Sequence, residues 1–104
     1  LQRPAMTEAA PELSVVIPVY NEEGILEVSV RELVAGLEAV TDAFEIILAE
    51  NGSKDATPAL ARALAAEDPR VRTFSYPEPN YGGALREGIF QARGRFVVCE
   101  EIDL

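Results

Sequence analysis

The chain contains the apolar stretch Leu13-Ser14-Val15-Val16-Ile17-Pro18-Val19, and the polar residues Tyr20-Asn21-Glu22-Glu23 follow it directly. The apolar run is short, almost continuous and rich in β-branched residues, which is the pattern of a strand covered on both faces. Such strands occur in parallel sheets that carry helices on both sides. The sequence therefore predicts an α/β domain whose first strand ends at a polar turn.

Six further elements are predicted downstream, and strands alternate with helices throughout. The predicted strands cover 44–49, 71–76 and 95–99, and the predicted helices run from Glu23 to Val40, from Thr57 to about Asp68, and around Leu85, Ile89 and Ala92 with a cap at Gly94. The order β-α-β-α-β-α-β predicts a parallel, Rossmann-like sheet with right-handed crossovers and helices on both faces.

The ends of the chain are interpreted separately from this domain. Residues 1–12, which include Pro4 and Pro11, show no periodicity and are predicted to be a flexible leader. Residues 13–104 are predicted to form one domain. The chain starts at Leu1 rather than at a methionine, and we interpret its C-terminus as truncated.

The composition excludes several classes of function. A formal net charge of −9 repels nucleic-acid backbones and anionic membrane surfaces, so an anionic ligand would need a bridging cation. The absence of histidine removes Ser/His/Asp and Cys/His nucleophile systems and imidazole zinc sites. No apolar run is long enough to span a membrane. The single cysteine, Cys99, lies in an apolar run and is predicted to be buried, in a reducing compartment.

Polar residues collect where three of the predicted strands end, which is the ligand-binding edge of an open parallel sheet. The three groups are Tyr20-Asn21-Glu22-Glu23, Glu50-Asn51-Gly52-Ser53 with Asp55, and Glu100-Glu101-Ile102-Asp103. Each group also has a purely structural interpretation. Glu22 and Glu23 can favour a helix dipole, and the residues around Asn51 can form a simple turn. Gly82-Gly83 can cradle a phosphate or permit close packing of a helix.

Glu101 and Asp103 are candidates for a metal site. Residues two apart in an extended segment point to the same side, so both carboxylates can reach one ion. Hard oxygen ligands suit Mg²⁺ or Mn²⁺, which usually take one or two protein carboxylates and fill their remaining positions with water and substrate phosphates. A solvated acidic strand end is the alternative.

Two common nucleotide-binding classes do not fit the first turn. A dinucleotide site of the dehydrogenase type needs a glycine-rich turn after the first strand, whereas residues 18–24 place two glutamates where the diphosphate would lie. The chain also lacks the G-x-x-x-x-G-K-[ST] string of a P-loop.

Four strings together resemble family 2 glycosyltransferases of the GT-A fold, including the dolichyl- or polyprenyl-phosphate mannose synthase type. They are S-V-V-I-P-V-Y-N-E-E (14–23), E-N-G-S-K-D-A-T (50–57), N-Y-G-G-A-L-R-E-G-I (80–89) and E-I-D-L (101–104). The resemblance covers nearly everything after the leader. It implies that the chain is the nucleotide-binding half of such an enzyme.

The resemblance also implies roles for particular residues. The residues assigned to the nucleotide are Pro18, Tyr20, Glu22 and Asn51, with Asp55 in support and Arg86 facing a phosphate, and those assigned to Mg²⁺ or Mn²⁺ are Glu101 and Asp103. Two departures matter. Glu50-Asn51 stands where the family commonly has Asp-Asp, which changes the base edge that can be read. Glu101 replaces the first Asp of D-x-D and is one methylene longer.

The implied function is inverting transfer of a sugar from a UDP- or GDP-linked donor to a hydroxyl or a lipid phosphate such as polyprenyl phosphate. The acceptor-activating base is expected beyond Leu104, so no catalytic residue is assigned here and the chain alone is expected to be inactive. A cytoplasmic location is expected, at the inner face of the membrane for a longer chain, in the synthesis of envelope polysaccharide or glycolipid. A nucleotidyltransferase and a catalytically dead nucleotide-binding or scaffolding module are the alternatives.

Overall fold

The computed structural model describes residues 10–102, in which four strands alternate with three helices. The elements are β1 (Leu13–Val19), α1 (Leu26–Glu38), β2 (Phe44–Asn51), α2 (Thr57–Glu67), β3 (Val71–Tyr76), α3 (Tyr81–Gln91) and β4 (Phe96–Cys99). The strands form one sheet in the order β3-β2-β1-β4, and every pairing is parallel. The predicted α/β fold is therefore confirmed, with β1 and β3 at their predicted bounds.

The strand order changes direction at β1. The chain continues from β1 to β2 and β3 on one side and then returns to place β4 on the other side of β1. The connection from β1 to β2 and the connection from β3 to β4 therefore run in opposite directions along the sheet, and they diverge beside the carboxyl end of β1. In open α/β sheets this position is the usual ligand-binding crevice.

Side chains of β1 alternate between two hydrophobic layers, one on each face of the sheet. Val15, Ile17 and Val19 belong to the larger layer, which also contains Leu26 and Val30 of α1. The smaller layer on the other face contains Val16 of β1, Ile47 and Ala49 of β2, and Ala84 of α3. Both faces are thus covered over the central strands, as the continuous apolar run predicts.

Of the apolar positions predicted for α3, Leu85 and Ala92 pack against the smaller hydrophobic layer, whereas Ile89 does not. Ile89, predicted to face the core, is 44% exposed, whereas Gly83, Ala84 and Gly88 are buried. A Cβ at Gly88 would lie 2.5 Å from Val16 Cγ1. The helix therefore lies so close to β1 that a larger side chain has no room at this position.

Gly94 does not cap α3 as predicted. Ala92, which follows the helix, is extended, and Gly94 lacks a positive φ. Its N–H donates to Ser14 Oγ over 2.8 Å, and a Cβ on Gly94 would lie 2.5 Å from the same oxygen. The glycine is explained by this close approach to β1 rather than by a left-handed turn.

The prediction that Cys99 is buried is wrong. Cys99 is exposed, as are Phe96, Val97 and Val98 of the same strand. Within residues 10–102, β4 pairs with β1 alone and belongs to neither hydrophobic layer. Apolar character therefore identified the strand correctly but not its burial.

The first residues of the chain lie partly outside the described region. Residues 1–9 of the predicted leader are not described, whereas Pro11 and Glu12 accept backbone hydrogen bonds from Arg95 and Phe96. Among residues 10–102, no helix combines the length and the apolar character needed to cross a bilayer.

Candidate functional site

A cleft of about 230 Å³ opens at the carboxyl end of the sheet, beside the point where strand order changes direction. Its walls come from three strand ends and from the start of α3. The lining residues are Pro18, Val19, Tyr20, Glu22, Asn51, Tyr81, Glu101 and Ile102. The cleft therefore joins segments that are up to 84 residues apart in sequence.

The turn after β1 is bonded to the loop after β2 in both directions. Asn21 N–H donates to Ser53 Oγ over 2.8 Å, and Lys54 N–H donates back to Asn21 Oδ1 over 2.9 Å. Asn21 itself has a φ of 52°, in the left-handed region that asparagine tolerates better than most residues. These bonds fix the turn that carries Tyr20 and Glu22 into the cleft.

Glu22 and Glu23 do not cap α1. The helix begins at Leu26 without a side-chain cap, and Glu23 Oε1 instead accepts from Ala56 N–H over 2.8 Å. Glu22 N–H donates to Thr57 Oγ1 over 2.8 Å, which connects the backbone of the first turn to the start of α2. The alternative that these glutamates favour a helix dipole is met by Glu23 at the N-terminus of α2, where Ala56 is the N-cap, rather than at α1.

Partial burial raises the pKa of Glu22, and the negative charge of Asp55 raises it further. Asp55 itself does not line the cleft. Its two carboxylate oxygens accept from Thr57 N–H over 2.9 Å and from Glu23 N–H over 3.3 Å. Burial works to raise the pKa of Asp55, but the hydrogen bonds led by those from Thr57 lower it overall. Asp55 thus holds the two loops together behind the cleft.

Asn51 connects the end of β2 to the start of α3. Its side chain is 5% exposed, and its Oδ1 accepts from Asn80 N–H over 2.5 Å. Asn80 Oδ1 in turn accepts from Gly83 N–H over 2.9 Å and caps α3. Because a backbone N–H is a donor, Asn51 must present its oxygen to Asn80, which leaves the Nδ2 amide as a donor for a ligand.

Gly52 permits this arrangement. Its φ is +72°, and a Cβ at this position would lie 2.5 Å from the backbone carbon of Glu78 and 2.6 Å from Pro79 N. Any other residue would meet backbone atoms in a conformation that is also unfavourable for L side chains. The two glycines at the start of α3 differ from each other. A Cβ on Gly83 would lie 2.8 Å from the Asn80 side chain, whereas Gly82 borders open space.

Glu101 places a carboxylate in the cleft directly after β4. Its Oε2 accepts a hydrogen bond from Tyr81 Oη over 2.9 Å, and this bond raises the pKa of Tyr81. Asp103, the other predicted metal ligand, lies outside the described residues. Among residues 10–102 no three acidic or cysteine side chains are grouped closely enough to form a complete metal site. Glu101 alone supplies a hard oxygen ligand of the kind that Mg²⁺ and Mn²⁺ use with substrate phosphates.

Five of the residues assigned from the sequence meet in this cleft, namely Pro18, Tyr20, Glu22, Asn51 and Glu101. Arg86 does not join them. It lines a separate groove with Tyr76 and Phe90 on the outer side of α3. Sequence reasoning missed Tyr81, although it lies in the quoted string N-Y-G-G. The only available signal was its position at the first turn of a helix that follows a strand end.

The chain is thus a Rossmann-like α/β domain with a cleft at its topological switch point. A sequence model described as Glycosyl transferase family 2 matches residues 14–103. The chain therefore belongs to glycosyl transferase family 2.

Curated relatives share this part of their sequence with the chain. Glycosyltransferase AglD of Haloferax volcanii is 46% identical over 107 aligned positions, which cover 99% of this chain and 17% of that protein. The undecaprenyl-phosphate 4-deoxy-4-formamido-L-arabinose transferase of Pseudomonas paraeruginosa is 38% identical over 94 positions, covering 88% of this chain and 28% of that protein. The chain thus spans less than a third of the length of these relatives.

A solved structure has the same fold. The mannosyltransferase PcManGT of Pyrobaculum calidifontis, in complex with GDP-Man and Mn²⁺, superimposes with a TM-score of 0.73. The overlap covers 90% of this chain and 28% of that one, with 23% sequence identity. This likeness confirms a GT-A type of fold.

Proposed function

We propose that the cleft binds a nucleoside-diphosphate sugar together with a divalent cation, and that the chain is the donor-binding part of an inverting glycosyltransferase. One observation carries the proposal. A single cleft at the switch point is lined by Pro18, Tyr20, Glu22 and Asn51, which are assigned to the nucleotide, and by Glu101, which is assigned to the metal. They come from three separate strand ends, so their meeting does not follow from proximity in sequence.

The chemistry of the lining suits the two ends of such a ligand. Tyr20 offers a flat ring that is 43% exposed, and the Asn51 amide offers a donor, both of which suit a nucleobase. Glu22 contributes an acceptor in the same cleft. Asp55 supports these residues by bonding the loops behind them.

The chain's charge makes a cation necessary for a diphosphate. A net charge of −9 opposes a nucleoside diphosphate, and Glu101 adds a further negative charge to the cleft. A divalent cation, when bound, neutralises this repulsion and stabilises the departing diphosphate. Glu101 would hold the ion, with Asp103 as its second ligand. Mg²⁺ and Mn²⁺ both fit these oxygen ligands, and the Mn²⁺ in the mannosyltransferase complex supports a divalent ion of this class.

The donor and acceptor are proposed from the named relatives. The complex of the structural neighbour contains GDP-Man, and the Pseudomonas relative is named for undecaprenyl phosphate. We accordingly place UDP- or GDP-linked sugars first among donors and polyprenyl phosphate first among acceptors. An enzyme with that acceptor would act at the cytoplasmic face of a membrane. Arg86 lies outside the cleft, so its assignment to a phosphate stays a prediction.

Titration calorimetry tests the proposal. UDP-, GDP-, CDP- and ADP-linked sugars are titrated into the chain in the presence of excess MnCl₂ and, separately, in the presence of EDTA. Binding is expected for a UDP- or GDP-linked sugar, only with the metal. Glu101→Ala with Asp103→Ala is expected to abolish the metal-dependent part of binding.

A matched control separates loss of the site from loss of charge. Asp42 is exposed in the loop before β2, and Asp42→Ala removes one negative charge at the amino-terminal edge of the sheet, opposite the nucleotide cleft. Its effect on affinity is expected to stay within about twofold, since a screened surface charge contributes little. Binding that is indifferent to both EDTA and the Glu101/Asp103 changes would show that the site is assigned wrongly.

A further inference from the structure

Tyr81 lies within one of the quoted sequence strings, but no role was assigned to it from the sequence. It is the first residue of α3, its side chain is half exposed, and it lines the same cleft as Glu101. Its hydroxyl donates to Glu101 Oε2 over 2.9 Å. The two residues are 20 positions apart, so this contact depends on the placement of α3 against the segment after β4.

The placement of Tyr81 is itself fixed by the floor of the cleft. Asn51 at the end of β2 accepts from Asn80 N–H, and Asn80 caps α3 immediately before Tyr81. A continuous series of bonds therefore connects the residue proposed to contact the base with the residue proposed to hold the metal. Tyr81 is the member of this series that touches Glu101.

We propose that Tyr81 is a positioning residue of the metal site, which holds the Glu101 carboxylate so that Oε1 is directed to the cation. This inference rests on the proposed function. Glutamate is one methylene longer than the aspartate usual at this place in the resembling family, and it has one more rotatable bond to restrain. A hydrogen bond to one carboxylate oxygen removes that freedom before the ion arrives. Partners of this kind orient metal ligands in many proteins.

Tyr81→Phe tests the role by removing the hydroxyl and keeping the ring. Mn²⁺ affinity is measured by electron paramagnetic resonance of the free ion, in the presence of saturating GDP or UDP. We expect the affinity for Mn²⁺ to fall about tenfold, the lower end of the usual range for such partners because Tyr81 is half exposed.

Tyr76→Phe is the matched control. Tyr76 Oη also donates one hydrogen bond of 2.9 Å, but to Gly83 O and outside the cleft. The control removes the same group and a bond of the same length. It is expected to alter Mn²⁺ affinity by less than about twofold.

Glu101→Asp provides a second test. A shorter carboxylate is drawn away from Tyr81, so adding Tyr81→Phe to Glu101→Asp is expected to change Mn²⁺ affinity by less than about twofold. An equal tenfold loss in both backgrounds would overturn the proposal, because Tyr81 would then act independently of Glu101. Unchanged affinity in Tyr81→Phe alone would overturn it as well.

The wild-type chain gives a readout that does not depend on the folding of a variant. With ¹³C-tyrosine labelling, the Tyr81 Cζ resonance is expected to shift on addition of MgCl₂ and GDP or UDP, while that of Tyr76 stays in place. A stationary Tyr81 resonance under conditions where metal binds would contradict the positioning role. Absence of any metal-dependent nucleotide binding to the wild type would instead reject the proposed function.

Discussion

Ser14 donates a hydrogen bond from Oγ to Glu45 Oε2 over 2.7 Å, joining partners in the register of β1 and β2. Glu45 is only 2% exposed, yet both its oxygens are paired, Oε2 with Arg93 N–H at 2.7 Å and Oε1 with the Arg72 guanidinium at 3.0 Å. Ser14 Oγ also accepts from Gly94 N–H over 2.8 Å. This network binds the segment between α3 and β4 to the amino-terminal side of the sheet, away from the cleft.

Glu45→Gln is expected to destabilise the fold by about 2 kcal/mol, since the new amide would direct N–H groups at partners that are themselves donors. This cost is smaller than the cost of disrupting a fully buried ion pair, because Arg72 is one-third exposed. Unfolding in urea, followed by circular dichroism, measures the change. Glu32→Gln on the exposed side of α1 is the control and is expected to cost less than about 0.5 kcal/mol. Equal costs for both variants would contradict the role of the network.

The same carboxylate predicts a dependence of stability on pH. Burial works to raise the pKa of Glu45, but the hydrogen bonds from Arg93 and Ser14 and the charge of Arg72 outweigh it and lower the pKa below the ordinary 4.5. A lowered pKa in the folded state means that the stabilisation is complete above pH 4.5 and is lost as pH falls through the folded-state value. Melting temperatures between pH 7 and pH 3 are therefore expected to fall more steeply for the wild type than for Glu45→Gln. Parallel curves would contradict this assignment.

The sequence was most informative where local pattern and tertiary position agree. The buried, β-branched run of β1 and the polar residues after it predicted both the strand and the cleft, because the carboxyl ends of parallel strands meet at one edge. The packing face of α3 was predictable only in part, since Leu85 and Ala92 pack as expected but Ile89 does not. Apolar periodicity selects large residues such as Ile89, whereas the observed contact requires the absence of a side chain at Gly88. The Tyr81–Glu101 hydrogen bond could not be predicted either, because it joins two elements whose distance in space cannot be read from the sequence.

Gly88→Ala tests the close approach of α3. The added methyl group would lie 2.5 Å from Val16 Cγ1, so the helix or the strand must move. A cost of about 1–3 kcal/mol is expected, which exceeds the gain in helix propensity. Gly36→Ala is the matched control within α1, where a Cβ meets nothing within 4 Å, and it is expected to stabilise by about 0.5–1 kcal/mol. Urea unfolding of both variants measures the two changes in the free energy of unfolding, which are expected to have opposite signs. A stabilising Gly88→Ala would show that the contact with Val16 relaxes freely.

Asp55→Ala tests whether the loops behind the cleft act as one unit. The change removes the acceptors of Glu23 N–H and Thr57 N–H, so both amides are expected to exchange with solvent faster. Hydrogen exchange measured by nuclear magnetic resonance gives the rate for each amide. Affinity for the nucleotide is expected to fall with it, because the turn that carries Tyr20 and Glu22 loses its support.

Lys54→Ala is the control for Asp55→Ala. Lys54 is exposed in the same loop, and only its backbone N–H takes part, as a donor to Asn21 Oδ1. Exchange at Glu23 and Thr57 is therefore expected to stay at the wild-type rate. If Asp55→Ala weakens nucleotide binding while both amides keep their slow exchange, the carboxylate contacts the ligand directly. If the amides exchange faster and nucleotide binding is weaker, Asp55 supports the turn that carries Glu22, because the hydrogen bonds and the cleft are then lost together.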